Sequence, residues 1–418
     1  MKTVCVFICL IFCTLASQGQ PWLKNLPAGK PRQDLTLDDY RKAFHAYWEP
    51  YHVQDGYYLE KGVKKKAAGW KHFKRWEYDL ESKVTPSDGK LPGKDATSIL
   101  REYVADNPQI PLAAWTPLGP SLSDGGYAGI GRLNCIAFHP SDLNTWWVGA
   151  ASGGLWVTSD NGNTWSCLTD ANGALAVSDI VIPPDYSVSQ TIYIATGDKD
   201  HWDNHSIGVL KSIDAGASWM PTGISYSLAD ADMVYRLLMD PSDPQIIIAA
   251  TSNGVYKTMD GGTYWHHFLS SASFIDMEYK PGDFNTLYGS TTNGRIFISS
   301  DAGFSWSEMM VDPGARRIEL AVSPHQPGWL YALVVAENSG LFGIYKSINS
   351  GGTFTQVFSG STLNLLGWDS DGGDSGGQGW YDLSLAVYPT NANTVLTGGA
   401  TTWRSDNGGS AWAIVNHW

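Results

Sequence analysis

From about residue 133 the apolar positions come in short runs. Leu133–Phe138, Thr145–Ala151, Leu155–Ser159 and Thr164–Leu168 are rich in aromatic and β-branched side chains, and turn residues bound each of them. Runs of this length between Gly, Asp, Asn, Ser and Pro predict strands. The group returns at Asp179–Trp219, Met233–Trp265, Phe274–Trp306, Arg316–Phe354 and Trp380–Trp412. A Pro-Ser-Asp turn, or a relative of it, follows the first run at Pro140, Pro241, Pro281, Pro324 and Pro389. Before residue 113 the pattern is different. Leu37, Tyr40, Phe44, Tyr47 and Trp48 fall at helical spacing, behind Thr36 with an acid three residues on at Asp39. A second helix is expected over Lys64–Leu80, with Trp70, Phe73, Trp76 and Leu80 on one side. Asp95–Ala105 predicts a short third.

The strand groups share one signature. Thr158-Ser-Asp160-Asn-Gly162-Asn-Thr164-Trp165 reads Ser/Thr-x-Asp-x-Gly-x-Thr-Trp. It returns around Asp214 and Trp219, Asp260 and Trp265, and Asp301 and Trp306. Worn copies hold Asn349 with Phe354, and Asn407 with Trp412. The acid or amide position advances by 54, 46, 41, 48 and 58 residues. A period of that size matches one four-stranded propeller blade. Asp, Asn and Gly tolerate left-handed backbone, and a short acid bonds amides a few residues on. Each box therefore reads as a self-bonded turn with an aromatic plug, a folding element rather than a site.

These boxes resemble the Asp-box (BNR) repeats of sialidases, sortilin/Vps10 receptors and xyloglucanase-type glycoside hydrolases, over about residues 115–418. The resemblance implies an all-β propeller of four-stranded blades, six of them visible, and no single activity. Gly69-Trp-Lys-His-Phe-Lys-Arg-Trp-Glu77 and Asp88-Gly-Lys-Leu-Pro92 resemble the segment ahead of sortilin-like propellers in large secreted Bacteroidetes proteins. Such proteins usually end in a sorting domain, which is not found here. Trp115–Pro120 is expected to be an outer strand that closes the ring on the last blade. A ring that stops after six blades closes on itself or belongs to a larger one.

The expected division is a signal peptide over 1–19, a helical extension and linker over 20–112, and the propeller over 113–418. Met1–Gly19 carries Lys2, an apolar run from Val4 to Leu15 and then small residues, which reads as an export signal. The protein is thus expected to meet secretion machinery and to be secreted or held at the cell surface. No apolar run is long enough to span a membrane comfortably. Residues 21–112 hold 16 Lys/Arg and 13 Asp/Glu, a balance of +3. Residues 113–418 hold 11 and 28, a balance of −17. A surface so acidic repels phosphates, which argues against nucleic acid. The other side of the second helix, with Lys64, Lys65, Lys66, Lys71, Lys74 and Arg75, reads as a basic docking face, a solvated face or one that leans on the acidic propeller. Cys135 and Cys167 fall on the first and fourth strands of one sheet, too far apart to bond, and read as free buried thiols.

Candidate chemistry lies in the long loops of the face opposite the boxes. One enters the first blade and contains Tyr127, with Arg132 after it. A second, Gly197–Ser206, holds Asp198, Asp200, His201, Trp202, Asp203 and His205. It reads as a sugar site with Trp202 stacking on a ring, as an Asp/His metal site, or as a solvated polar loop. No ligand spacing there is diagnostic, so neither a metal nor any cofactor is assigned. The third loop links blades two and three over Thr222–Asp232. The fourth, Ser359–Gly379, leads into Trp380 and carries Trp368 and Asp371. Asp369, Asp371 and Asp374 resemble half of a calcium loop, without its closing Glu.

Two enzyme classes can be tested on residues. Sialidases need an arginine triad with an Arg-Ile-Pro, which is absent. Arg132, Arg236, Arg316 and Arg317 are instead expected to line the axis or pair with acids. Xyloglucanase-type hydrolases carry Arg-Thr-Asp-Ile-Gly-Gly between strands two and three of the first blade. The corresponding run here is Gly149-Ala-Ala151-Ser-Gly153-Gly154, with Ala151 in the place of the catalytic acid. Glycoside hydrolysis needs two placed carboxylates, and alanine supplies none. The sequence thus points to a non-catalytic binder of a peptide, protein or glycan. The alternative is a glycoside hydrolase with unusual acids.

Overall fold

The structure is a computed structural model and describes residues 21–67, 69–85, 87–108, 131–170, 172–200, 204–230, 232–270, 272–311 and 314–417. It contains six four-stranded antiparallel sheets in which strand order follows chain order. They are the six blades of a β-propeller. Their innermost strands are Leu133–Phe138, Val177–Val181, Val234–Asp240, Phe274–Lys280, Ala315–Val322 and Ser384–Val387. Each of these packs against the next, so together they line an axis. The strand expected at Trp115–Pro120 lies outside the described residues.

Apolar runs become strands because both faces of the middle strands are covered. Ile247, Ile248, Ala249 and Ala250 are consecutive and fully buried, the signature of a strand sandwiched between neighbouring sheets. Five separate apolar cores fill the gaps between blades one and two, two and three, three and four, four and five, and five and six. Among the described residues no such core joins blade six to blade one. Leu133, Ile136 and Phe138 on blade one, and Tyr388 and Val415 on blade six, are exposed.

The boxes are built as their chemistry predicts. Thr158 Oγ1 donates to Asp160 Oδ1 (2.8 Å) and accepts the Gly162 amide (2.8 Å). Asp160 in turn accepts the Thr164 amide (2.8 Å) and hydroxyl (2.7 Å). Asn349 and Asn407 keep the amide contact, at 2.9 Å each. In every box two successive residues have positive φ: Asn161 and Gly162, Ala215 and Gly216, Gly261 and Gly262, Ala302 and Gly303, Ser350 and Gly351, Gly408 and Gly409. Alanine in that region is strained, and the hydroxyl–carboxylate bonds offset the strain. The second position admits only glycine for another reason as well. A Cβ on Gly216 would lie 2.8 Å from Leu168 of the preceding blade. The boxes are therefore inter-blade wedges. Ser212→Ala removes the buried hydroxyl that accepts the Gly216 amide. It should cost about 1–3 kcal/mol, since a buried donor is left unpaired. Urea denaturation checks this, with Ser218→Ala at the exposed end of the same box expected to cost less.

The extension has its own core. Helix α1 (Leu37–Trp48) starts at a capping box between Thr36 and Asp39, and helix α2 (Trp70–Glu81) buries Phe73, Trp76 and Leu80. Helix α3 (Ala96–Asp106) is capped by Asp95. Lys64–Lys66 are not helical. They lie in a hairpin that pairs Tyr57–Glu60 with Val63–Lys66. Lys61 and Gly62 reverse the chain with positive φ, and Gly69, also at positive φ, delays the helix to Trp70. Among the described residues of the extension's core, only Ala229 comes from the propeller. Cys135 and Cys167 are free and half-buried, and burial pushes the Cys135 thiol pKa up.

Candidate functional site

The innermost strands give the site its shape. In five of them the register slips near the start, after Leu133, Val177, Val234, Phe274 and Ala315. A bulge re-aims the side chains that follow it. Here it places Asp179, Arg236, Asp276 and Arg317 around the axis.

Two ionic clusters result. The first sits at the mouth on the long-loop face. Arg132 binds Asp198 through Nη2 and Asp200 through Nη1 (3.0 Å). The other Asp200 oxygen binds Arg317 Nη1 at 2.8 Å, and Arg317 Nη2 lies 3.4 Å from Glu319. Asp198, Asp200 and Arg317 are all buried. Burial raises the Asp198 pKa against the pull of Arg132. The guanidinium of Arg132 also lies over the Tyr381 ring, 4.7 Å from its centre.

The second cluster centres on Arg236. Its Nη2 binds Glu278 at 2.8 Å, and its Nε lies 3.4 Å from Asp276 and 3.9 Å from Asp179. Asp179 accepts the Leu237 amide (2.7 Å) and Asp276 the Leu320 amide (2.8 Å), each on the next blade. Burial, reinforced by neighbouring acids, lifts Glu278 and Glu319 to about 7 each. Arg316, by contrast, points away and pairs with Glu337 at 2.8 Å.

The expected site residues fall into distinct places. Arg132, Asp198 and Asp200 belong to the mouth cluster. His205 faces α2, 2.6 Å from Asp79 and 3.3 Å from Lys83. Burial opposes ionisation of Asp79, yet His205 and Lys83 hold its carboxyl down at about 2. Tyr127, His201, Trp202 and Asp203 lie outside the described residues. Trp368 is 40% exposed. In the amide orientation that satisfies both neighbours, Gln378 accepts from Trp368 Nε1 (3.0 Å) and donates to Asp382 (2.6 Å). Asp371 accepts the Gly373 amide of its own turn (2.9 Å). Asp374 accepts the Trp368 amide (2.8 Å). No group of three or more metal-ligating side chains occurs among the described residues. Trp380 stacks on Tyr381, with ring centres 5.2 Å apart.

The sequence reading passed over Tyr381, Asp382 and Glu319. Only Tyr381 gave a signal, as an aromatic next to Trp380 after a glycine-rich loop. Ala151 is buried, and its carbonyl accepts from Asn204 at 3.0 Å. The glycines beside it serve packing. A Cβ on Gly149 would lie 2.4 Å from the Cys135 sulfur, and one on Gly154 2.2 Å from Thr169 Oγ1.

No family model matches the chain. A xyloglucanase from Paenibacillus sp is 25% identical over 245 residues, which are 55% of this chain and 21% of that protein. The chain thus spans about a fifth of that relative. Among solved structures, the GH74 xyloglucanase from Xanthomonas campestris is 17% identical with a TM-score of 0.51, over 68% of this chain and 45% of that one. The GH74 enzyme of Niastella koreensis is 18% identical with a TM-score of 0.51, over the same shares. The chain shares the β-propeller superfold with glycoside hydrolases of this kind.

Proposed function

We propose that this chain is a secreted, non-catalytic glycan-binding propeller that holds its ligand on the long-loop face. The observation that carries this reading is the state of the carboxylates at the mouth. Ala151 stands where the hydrolases place an acid. Asp198 and Asp200 are buried and bound to Arg132 and Arg317. A general acid or nucleophile must reach the glycosidic oxygen or the sugar ring, and these two are instead buried and engaged by arginines.

The same face offers aromatic surface. Trp368 is exposed, and Trp380 and Tyr381 form a stacked pair on the same link between blades five and six. Sugars present C–H faces that pack on such rings, while nearby carboxylates and amides take up hydroxyls. The xyloglucanase likeness favours a β-linked plant glycan over a peptide or protein. The export signal and the sortilin-like N-terminal segment fit the same role outside the cell.

Affinity electrophoresis on soluble xyloglucan tests this. The chain should be retarded, and Trp368→Ala should weaken retardation by roughly tenfold, the loss of one stacking contact. Reducing-end assays should show no release of sugar. Hydrolysis that disappears in Asp200→Asn, with the fold intact, would instead establish the enzyme.

A further inference from the structure

The extension covers part of the proposed ligand face. Lys66 Nζ lies 4.8 Å from the centre of the Trp380 ring, and His72 meets that ring edge-on at 5.6 Å. The face of Trp380 that a sugar would use is therefore shared with the extension. Further contacts surround the mouth. Arg32 binds the Asp230 carbonyl and the Asp232 carboxylate, both at 2.9 Å. Tyr40 donates to the Ala229 carbonyl (3.3 Å), Thr97 accepts the Gly173 amide (3.0 Å), and Asp79 holds His205.

The character of this interface differs from that of the blades. Adjacent blades share apolar cores. The extension instead closes a core of its own, to which the described residues of the propeller add only Ala229. Its contacts with the face are ion pairs, hydrogen bonds and a cation on a ring. An interface made this way resembles one between domains that move relative to each other. It is charge-complementary, since a +3 segment sits on a −17 propeller. Ion pairs at such rims set orientation and hold the partner weakly.

We infer that the extension is a separable cap, which shields the Trp380 platform and must swing away or be removed before a glycan can stack there. The inference rests on the glycan reading for the identity of the ligand, though not for the motion. A capped face binds with an affinity reduced by the fraction of open molecules. Lys66 and His72 occupy the platform meanwhile, as placeholders for the ligand.

The test uses the full chain carrying Arg32→Glu and Asp79→Lys. Both residues lie outside the cap's core and meet the propeller at Asp232 and His205. Hydrogen exchange is followed at residues 376–382 and at α1, and xyloglucan oligosaccharide binding is followed by calorimetry. Faster exchange at 376–382 with α1 unchanged, and binding about tenfold tighter than wild type, is the expected result. Adding Asp232→Lys to restore the Arg32→Glu pair should recover part of the wild-type exchange.

Unchanged exchange at 376–382 would overturn the cap. So would exchange rising together in α1 and the blades, because the extension would then be an integral part of one fold. Selective release without tighter binding would overturn the shielding. If exchange rises selectively but no form binds the oligosaccharide, the cap stands and the glycan reading falls. Lys66→Ala with His72→Ala gives a second route, since these changes remove the contacts with Trp380 while leaving Arg32 and Asp79 in place, and they should raise affinity without undocking the cap.

Discussion

Arg236→Met should be among the most destabilising single substitutions in this propeller, at about 3–5 kcal/mol. Arg236 is the hub for Glu278, Asp276 and Asp179. Methionine fills a similar volume and removes the charge. Three carboxylates from two blades would then face one another without the guanidinium that pairs with all three. Breaking a buried ionic set by removing one partner costs far more than the set contributes when whole, because the remaining charges stay desolvated. Urea denaturation followed by tryptophan fluorescence measures the loss. A cost below about 1 kcal/mol, the range of an exposed ion pair, would show that the axis is wet enough to screen these acids.

The same acids make stability depend on pH, and the sign can be worked out. Glu278 and Glu319 have pKa values near 7 when folded, against an ordinary value of 4.5. A raised carboxyl takes up a proton on folding, so its contribution is fully present below 4.5 and is lost as pH climbs through 7. The protein should therefore unfold at higher urea concentration at pH 6 than at pH 8. Asp79, held near 2, acts in the opposite sense but only between about 2 and 4. His45, whose pKa burial lowers, also opposes the trend, but below 6.5. Asp79 leaves the window from 6 to 8 untouched, whereas His45 trims the gain at its acid end, below about 6.5. Glu278→Gln should flatten the pH dependence there. It should also soften the Arg236→Met defect, since one of the stranded charges is then gone.

The blades were legible in the sequence because their cause is local. Each box needs only a hydroxyl, an acid, a glycine and an aromatic within eight residues, and each strand is a short apolar run between turns. The hairpin at Tyr57–Lys66 was hidden because its lysine-rich second strand is half solvated, so its apolar pattern is weak. It was set instead by left-handed backbone at Lys61 and Gly62. The site was legible only as a set of loops. Sequence could place Arg132 and Arg317 near the axis. It could not show that Asp200 reaches both of them, because Arg132 is 68 and Arg317 117 positions away from it. Nor could it show that Trp380 meets Lys66, since that contact depends on how a separately folded extension docks.

Asp200 is where sequence and geometry disagree most. Its sequence neighbours suggest a ligand-binding or catalytic acid. Its geometry is that of a bridge: Oδ2 on Arg132 beside blade one, Oδ1 on Arg317 of blade five. One carboxylate thus ties non-adjacent blades across the mouth. Asp200→Ala strands the buried guanidinium of Arg317, whose hydrogen-bond partners among the described residues would then be Glu319 at 3.4 Å and the Tyr381 carbonyl. A loss of about 3 kcal/mol is expected, comparable to the Arg236 change and independent of any ligand. Asp200→Asn should cost less, because an amide oxygen still accepts one of the two hydrogen bonds. If both variants keep wild-type stability while glycan retention collapses, Asp200 faces the ligand and the bridge is incidental. If stability falls and retention per folded molecule is unchanged, the acid that looked most like chemistry in the sequence is part of the frame that holds the mouth open.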